Sequence, residues 1–302
     1  LPVFGYWSLV GKGNEHQQEE ICFPKLSIKI RSGRNGAAQE FTLAKFLQVR
    51  KGQEEDNSIM QHGGIHIGTS GWHYKHWLGA FYPEDIPSSE WLSFYGRRLR
   101  TVEINNSFYH LPSEKTLAAW RDSTGADFLF SIKASRYLTH MKKLKDPEQP
   151  LDTFLKRAEV LGGKLGPILL QLPPNWRCNG DRLRSFLSVL PSRYRYAFEF
   201  RDPSWFTDDV YRALEEKKAA FCIYHLEGLL SPKEITADFV YVRLHGPGAA
   251  YQGSYDTQAL SGWAGAFSTW HRQGREIFCY FDNDENGYAA KNAMELAKMC
   301  EE

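Results

Sequence analysis

Residues 239–245 read Phe-Val-Tyr-Val-Arg-Leu-His, and the alternation inside this stretch decides the fold. Successive side chains of a β-strand point to opposite faces. Val242 and Leu244 therefore share one face, and Tyr241, Arg243 and His245 share the other. The same two-faced pattern recurs along the chain from Ile65 onward. Strand-like runs are predicted at 65–70, 101–105, 128–133, 168–172, 195–201, 220–225, 239–245 and 276–282. Between them lie amphipathic stretches of helical period, such as Leu151, Phe154, Leu155, Ala158 and Leu161, or Leu260, Trp263, Phe267 and Trp270. Ser113 and Asp181 stand where helix starts are expected, Gly162 and Gly274 where helices end. A helix is expected after each strand. Eight βα units in about 240 residues predict a (β/α)8 TIM barrel, the size and count of that α/β architecture. No glycine-rich dinucleotide fingerprint or P-loop is present.

Strand parity then sorts the side chains. Ile65, Ile67, Val102, Ile104, Phe130, Ile132, Ile168, Leu170, Phe198 and Phe200 belong to the face that packs beneath the helices. The opposite face carries His66, Gly68, Ser70, Glu103, Asn105, Ser131, Lys133, Gln171, Glu199, Arg201, Tyr241, Arg243, His245, Tyr280 and Asp282, and is expected to point into the barrel. A barrel lumen is normally filled by branched apolar side chains. Burying this many charges costs several kcal/mol each unless they pair or meet a ligand, and many sit at the C-terminal strand ends, where barrel enzymes place their chemistry. Self-contained pairs, Glu199 with Arg201 or Glu103 with Lys133, are the bland alternative. Tyr241 and Arg243 lie deepest and suit a structural role.

Aromatic residues gather in the loops on the same face: Trp72, His73 and Tyr74 after the first strand, Phe108 and Tyr109 after the second, Trp205 after the fifth. Flat rings at a rim suit sugars or nucleobases. Loops seven and eight form the usual phosphate corner of this fold, but Asp284 and Glu285 argue against a bare phosphate there.

Composition is that of a folded soluble protein, 42% hydrophobic and 24% charged with a mean hydropathy of -0.49. The formal net charge of +1 gives no global field toward nucleic acid or an anionic membrane. Five scattered cysteines with no Cys-x-x-Cys pairing suit a reducing cytoplasm. Residues 1–63 lack the strand–helix alternation and form a separate N-terminal extension to a barrel domain of residues 64–302. Met60 is expected to be the functional start, the preceding residues being upstream sequence or a disordered extension; a small accessory β-element is the rival reading.

Seven segments occur in order: IGTSGWHYKHWLGAFYP (67–83), VEINNSFYHLP (102–112), FSIKASRYLTH (130–140), LLQLPP (169–174), FEFRDPSW (198–205), YVRLHG (241–246) and YFDNDENGYAAKNA (280–293). Over residues 65 to about 299 the chain resembles the YecE-like family, domain of unknown function 72. The resemblance implies a TIM barrel with an enzymatic site. Carried over by position, the shared polar residues are Ser70, Trp72, Glu103, Asn105, Lys133, Gln171, Glu199, Arg201, Arg243, His245 and Asn283.

Three functional expectations follow. The first is a metal-independent enzyme acting on a sugar-like or phosphorylated small molecule. Glu103 and Glu199 would share acid/base work through a carboxylate pKa moved toward neutrality. Lys133 and His245 complete the catalytic set, and Ser70, Trp72, Asn105, Gln171, Arg201, Trp205, Arg243, Asp282 and Asn283 would bind substrate. The second is a divalent-metal hydrolase or isomerase with Glu103, Glu199, His245 and Asp282 as ligands, including a nuclease that uses Lys142, Lys143 and Lys145 for phosphates. The third is a barrel that binds a ligand without converting it.

Overall fold

The structure, a computed structural model, describes residues 64–301 together with the backbone of two short segments nearer the N-terminus. The chain divides into two units, 1–60 and 61–302. In the first, Ser27–Lys29 and Glu40–Thr42 pair antiparallel. The expected start at Met60 lies outside the described residues.

The second unit is a closed barrel of eight parallel strands: β1 Ile65–Ser70, β2 Thr101–Ile104, β3 Leu129–Lys133, β4 Leu165–Gln171, β5 Tyr196–Glu199, β6 Ala220–Leu226, β7 Phe239–Leu244 and β8 Glu276–Phe281. Each strand pairs with the next, β8 pairs with β1, and the pairing of β6 with β7 completes the ring. Helices α1 Trp91–Gly96, α2 Glu114–Asp122, α3 Glu148–Ala158, α4 Gly180–Val189, α5 Asp208–Lys217, α6 Thr257–Arg272 and α7 Tyr288–Glu301 accompany the strands. None of the helices among the described residues is long and apolar enough to cross a membrane.

Parity determines where the core sits. Val102, Ile104, Phe130, Ile132, Ile168, Leu170, Phe198, Phe200, Val242 and Leu244 are buried in the shell between strands and helices. Leu169, Ala197, Ala220, Cys222, Phe239, Tyr241, Phe278 and Tyr280 form a second apolar cluster, the plug of the lower lumen. Above it the Tyr280 hydroxyl bonds Thr101 Oγ1 at 2.8 Å and Ser131 Oγ at 2.7 Å, so the polar groups at mid-depth are satisfied. Gly68 leaves room for close packing, since a Cβ there would stand 2.0 Å from the Thr101 carbonyl oxygen.

Helix starts follow local chemistry. Ser113 Oγ accepts from Thr116 N and opens α2, and Asp256 Oδ1 accepts from Ala259 N at the start of α6. The cap of α4 is Asn179, accepting from Arg182 N, with Asp181 in the first turn rather than at the boundary.

The expected helix after the sixth strand is absent among the described residues. The chain instead turns at Glu227 and Gly228, both at positive φ, and Leu229–Leu230 pairs back on β6. Pro232 and the lack of a helical apolar period favour this path. Ser231 Oγ accepts from Tyr224 N and Thr236 Oγ1 from Phe221 N, so side chains of the returning segment satisfy backbone N–H groups of β6.

Predicted strand ends also overshoot. β2, β7 and β8 stop one residue before Asn105, His245 and Asp282, and β5 stops two before Arg201. Single ladder bonds persist beyond the ends, His245 N to His225 O at 2.9 Å and Asp282 N to Leu244 O at 2.8 Å. These side chains therefore stand on the rim of the barrel while their backbones are still held by it.

Candidate active site

Arg243 is the hub of the upper lumen. Its side chain is 1% exposed and each guanidinium nitrogen is engaged. Nε donates to Glu103 Oε2 at 3.0 Å, Nη1 to Glu199 Oε2 at 2.8 Å, and Nη2 to Glu103 Oε1 at 2.7 Å and to Asp282 Oδ2 at 3.1 Å. Register delivers the partners: Ser70 lies beside Glu103 across β1 and β2, and Gln171 beside Glu199 across β4 and β5. Burial pulls the Arg243 pKa down, but Glu103, Glu199 and Asp282 together hold it well above the ordinary value.

The carboxylates are correspondingly spoken for. Glu103 Oε1 also accepts from Ser70 Oγ at 2.5 Å and Oε2 from Tyr241 OH at 2.7 Å, which gives each oxygen two donors. Glu199 accepts from Arg201 Nε on one oxygen and from Arg243 on the other. Burial pushes the Glu199 carboxyl up, yet the charges of Arg201 and Arg243 outweigh it and hold the pKa well below the ordinary value. The expected shift toward neutrality is therefore reversed: two guanidiniums keep this carboxylate ionised. Asp282 is lowered too, burial being outweighed by Arg243 and His245. His245 lies between, with Nδ1 3.0 Å from Asp282 Oδ2 and Nε2 3.1 Å from Arg201 Nη2. Since an arginine nitrogen only donates, Nε2 is the acceptor and Nδ1–H donates to Asp282.

Lys133 is different. It is 7% exposed, and among the described residues its ammonium has neither an ion-pair nor a hydrogen-bond partner. Its nitrogen lies 4.5 Å from the centre of the Phe108 ring, which supplies only a cation–π contact. The expected pair with Glu103 does not form, because Arg243 takes that carboxylate. Burial, then the charge of Arg243, lowers the Lys133 pKa to about 8 against the raising influence of Glu103, Glu199 and Asp282. His140, edge-on to the same Phe108 ring at 4.9 Å, is pushed down to about 4 by burial and by the charges of Lys133, Arg136 and Arg201. His140 rides on a π-helical turn, Tyr137–Met141, and the chain just beyond it adopts positive φ at Lys143, Leu144 and Asp146. Non-glycine residues held in that region cluster at functional sites.

Trp72 and Asn105 line a cavity of about 490 Å³ with Gly71, His73, Tyr74, Asn106 and Trp120. Trp72 is buried and meets Trp120 edge-on at 4.8 Å. Gln171 is half-buried and has no side-chain hydrogen bond among the described residues.

Besides Ser70 and Asp282, which the network already holds, three expected ligand-binding residues are committed to the structure. Arg243 has no nitrogen left over from the network. Trp205 is fully buried, stacked on Phe200 at 4.9 Å, with its indole N–H on the Trp176 carbonyl at 2.6 Å, so it pins its loop onto the outer shell. Asn283 Nδ2 donates to Gly253 O at 2.8 Å and to Asn292 Oδ1 at 3.0 Å, tying the loop after β7 to α7. At the expected phosphate corner, Gly253 N already donates to Glu285 Oε2 at 3.1 Å. A divalent cation held by Glu103, Glu199, His245 and Asp282 would meet the Arg243 guanidinium at the point where the three carboxylates converge, so that donor set does not fit a metal.

The sequence predicts Phe108 only as a rim aromatic and assigns no role to His140. Neither lies on a strand, so parity says nothing about them; the signal was the compact polar-aromatic composition of the segments 105–109 and 135–140.

Comparison with known proteins agrees with this architecture. The YecE protein (UPF0759) of Escherichia coli K12 is 32% identical over 146 residues, 47% of this chain and 50% of that protein, so the match spans about half of that relative's length. The YunF protein (UPF0759) of Bacillus subtilis strain 168 is 24% identical over 275 residues, 78% of this chain and 95% of that protein. A crystal structure of a DUF72 family protein from Thermotoga maritima MSB8 is similar with a TM-score of 0.73 and 29% identity, covering 79% of this chain and 100% of that one. The profile of the family described as "Protein of unknown function DUF72" matches residues 66–302, and the chain accordingly belongs to the DUF72 family of TIM-barrel proteins.

Proposed function

We propose that this barrel is a metal-independent enzyme acting on an anionic, sugar-like or phosphorylated small molecule, with Lys133 as its proton-transferring group. The observation that carries this reading is the contrast within one mouth: Glu103, Glu199, Asp282, Arg201 and Arg243 are engaged with one another, while Lys133 has no ion-pair or hydrogen-bond partner among the described residues. Burial of a lysine without a partner is unfavourable for folding and is retained where the amine has work to do. A group titrating near neutrality is suited to general acid/base catalysis, which contributes roughly 10²- to 10⁴-fold.

Glu199 and Glu103 become positioning residues in this scheme. They fix Arg201 and Arg243, and Arg201, with its side chain still 8% exposed, faces an anionic group. Asn105 and Gln171 supply neutral hydrogen-bonding groups for hydroxyls. Exposed Tyr109, Tyr137 and Tyr251 add flat apolar surface for the rest of a ligand.

Thermal-shift screening of sugar phosphates, hydroxy acids and oxo acids, followed by product analysis on each hit, tests the proposal. A hit that is turned over by the wild type and bound but not turned over by Lys133→Met supports it. Turnover undiminished in Lys133→Met refutes it. Binding by the wild type without conversion of any hit favours a ligand-binding barrel.

A further inference from the structure

We infer that Lys133 acts as a nucleophile, forming a covalent imine with the carbonyl carbon of an aldehyde or ketone that also carries an anionic group. This rests on the preceding placement of Lys133 in the reacting centre and adds the covalent step and the substrate class. The geometry is that of an amine kept available. Every carboxylate in the mouth that would hold it as an ammonium is occupied: Glu103 by Arg243, Ser70 and Tyr241, Glu199 by Arg201 and Arg243, Asp282 by Arg243 and His245. The underside of the amine is closed by the Phe108 ring. The side chain keeps 7% of its surface exposed, so the amine is not sealed off.

In the reaction the neutral Nζ lone pair attacks the carbonyl carbon and forms the C–N bond. The carbonyl π pair moves to oxygen, which takes the proton released by nitrogen, giving a carbinolamine. A proton delivered by a hydronium ion from the solvent at the mouth protonates its hydroxyl, and departure of that oxygen as water leaves a protonated imine. The sum is amine plus carbonyl plus one proton giving iminium plus water, with no oxidant or reductant. Arg201 holds the anionic group of the substrate, and His140 is near enough to both Lys133 and Arg201 for their charges to lower its pKa. The charges that set the state of the amine are Arg243 on β7, Glu103 on β2, Glu199 on β5 and Asp282 beyond β8, while His140 in the loop after β3 is itself lowered by the charge of Lys133. Relative to an ordinary lysine, the unprotonated fraction at pH 7 rises by about two to three powers of ten.

The test is reductive trapping on the intact chain. Wild type, Lys133→Arg and Lys133→Met are incubated at pH 7 with glyoxylate, an anionic aldehyde, or with glycolaldehyde, a neutral one. Borohydride is added and the modified lysines are mapped by peptide mass spectrometry. We expect Lys133 to be modified at least tenfold faster than Lys142 and Lys143 of the loop that follows β3, and faster by glyoxylate than by glycolaldehyde. Modification of Lys133 no faster than that of Lys142 and Lys143 overturns the imine. In that event the screen above separates the two claims: if Lys133→Met still abolishes turnover of a hit, proton transfer by Lys133 stands without the covalent step, and if turnover persists both readings fall.

Discussion

The guanidinium of Arg243 and the carboxylate of Glu103 meet as a two-point pair across the barrel, Nε to Oε2 at 3.0 Å and Nη2 to Oε1 at 2.7 Å, with neither side chain more than 1% exposed. A buried pair of this kind adds little net stability over an apolar pair of the same shape, yet removing one partner strands the other. Glu103→Gln is therefore expected to destabilise the fold by about 2–4 kcal/mol, and Arg243→Met, which strands three carboxylates, by at least as much. Urea denaturation followed by tryptophan fluorescence measures both. Changes under 1 kcal/mol would mean that the network is relaxed by water in solution.

Lys133→Met is expected to do the opposite. The pKa of Lys133 lies below its unfolded value, so the folded state penalises the charged amine. That penalty is complete below about pH 8 and fades as pH rises toward 10.5. The variant should gain about 1–3 kcal/mol at pH 7, shrinking to nothing near pH 10.5. Denaturation at pH 7 and pH 10 gives the comparison; an equal change at both values would assign the effect to packing.

Acid stability follows from Glu199 and Asp282. Both have folded-state pKa values below their ordinary 4.5 and 3.8, so each contributes stability that is present above those values and lost as pH falls through them. Thermal unfolding of the wild type should ease downward below about pH 6.5, where unfolding lets His140 take up a proton, and drop more steeply below about pH 4.5 as Glu199 and Asp282 add to the loss. Glu199→Gln should start lower at pH 7 and lose less on acidification. A drop equally steep in the variant would place the acid-sensitive group elsewhere.

Two glycines should respond in opposite directions. Gly68→Ala drives a methyl group to 2.0 Å from the backbone oxygen of Thr101 and is expected to cost several kcal/mol or to prevent folding. Gly265 is exposed in α6 with nothing within 4 Å of its Cβ position. Gly265→Ala should therefore stabilise by about 0.5–1 kcal/mol through helix propensity. Melting temperatures of the two variants check the pair.

The barrel itself was legible because period two is a local property. Val242 and Leu244 against Tyr241 and Arg243 is readable from seven residues, and repeating it eight times leaves few architectures. Which charges pair was not legible, since that depends on distances across the lumen: Arg243 on β7 reaches Glu103 on β2, displacing Lys133, its neighbour by strand order. Trp205 looked like a rim aromatic and instead stacks on Phe200, because a loop ring turns inward or outward according to packing that no short period records. The missing sixth helix has the same cause in reverse, with Ser231 and Thr236 satisfying β6 through side-chain bonds that have no sequence period.

The central claim is that the Lys133 amine, unpaired among the described residues, titrates near neutrality. Nuclear magnetic resonance titration of lysine side chains labelled at the ζ nitrogen and ε carbon, with the Lys133 signal assigned by its loss in Lys133→Arg, measures this directly. The account predicts a midpoint at about 8 for Lys133; a midpoint near the ordinary 10.5 would contradict it.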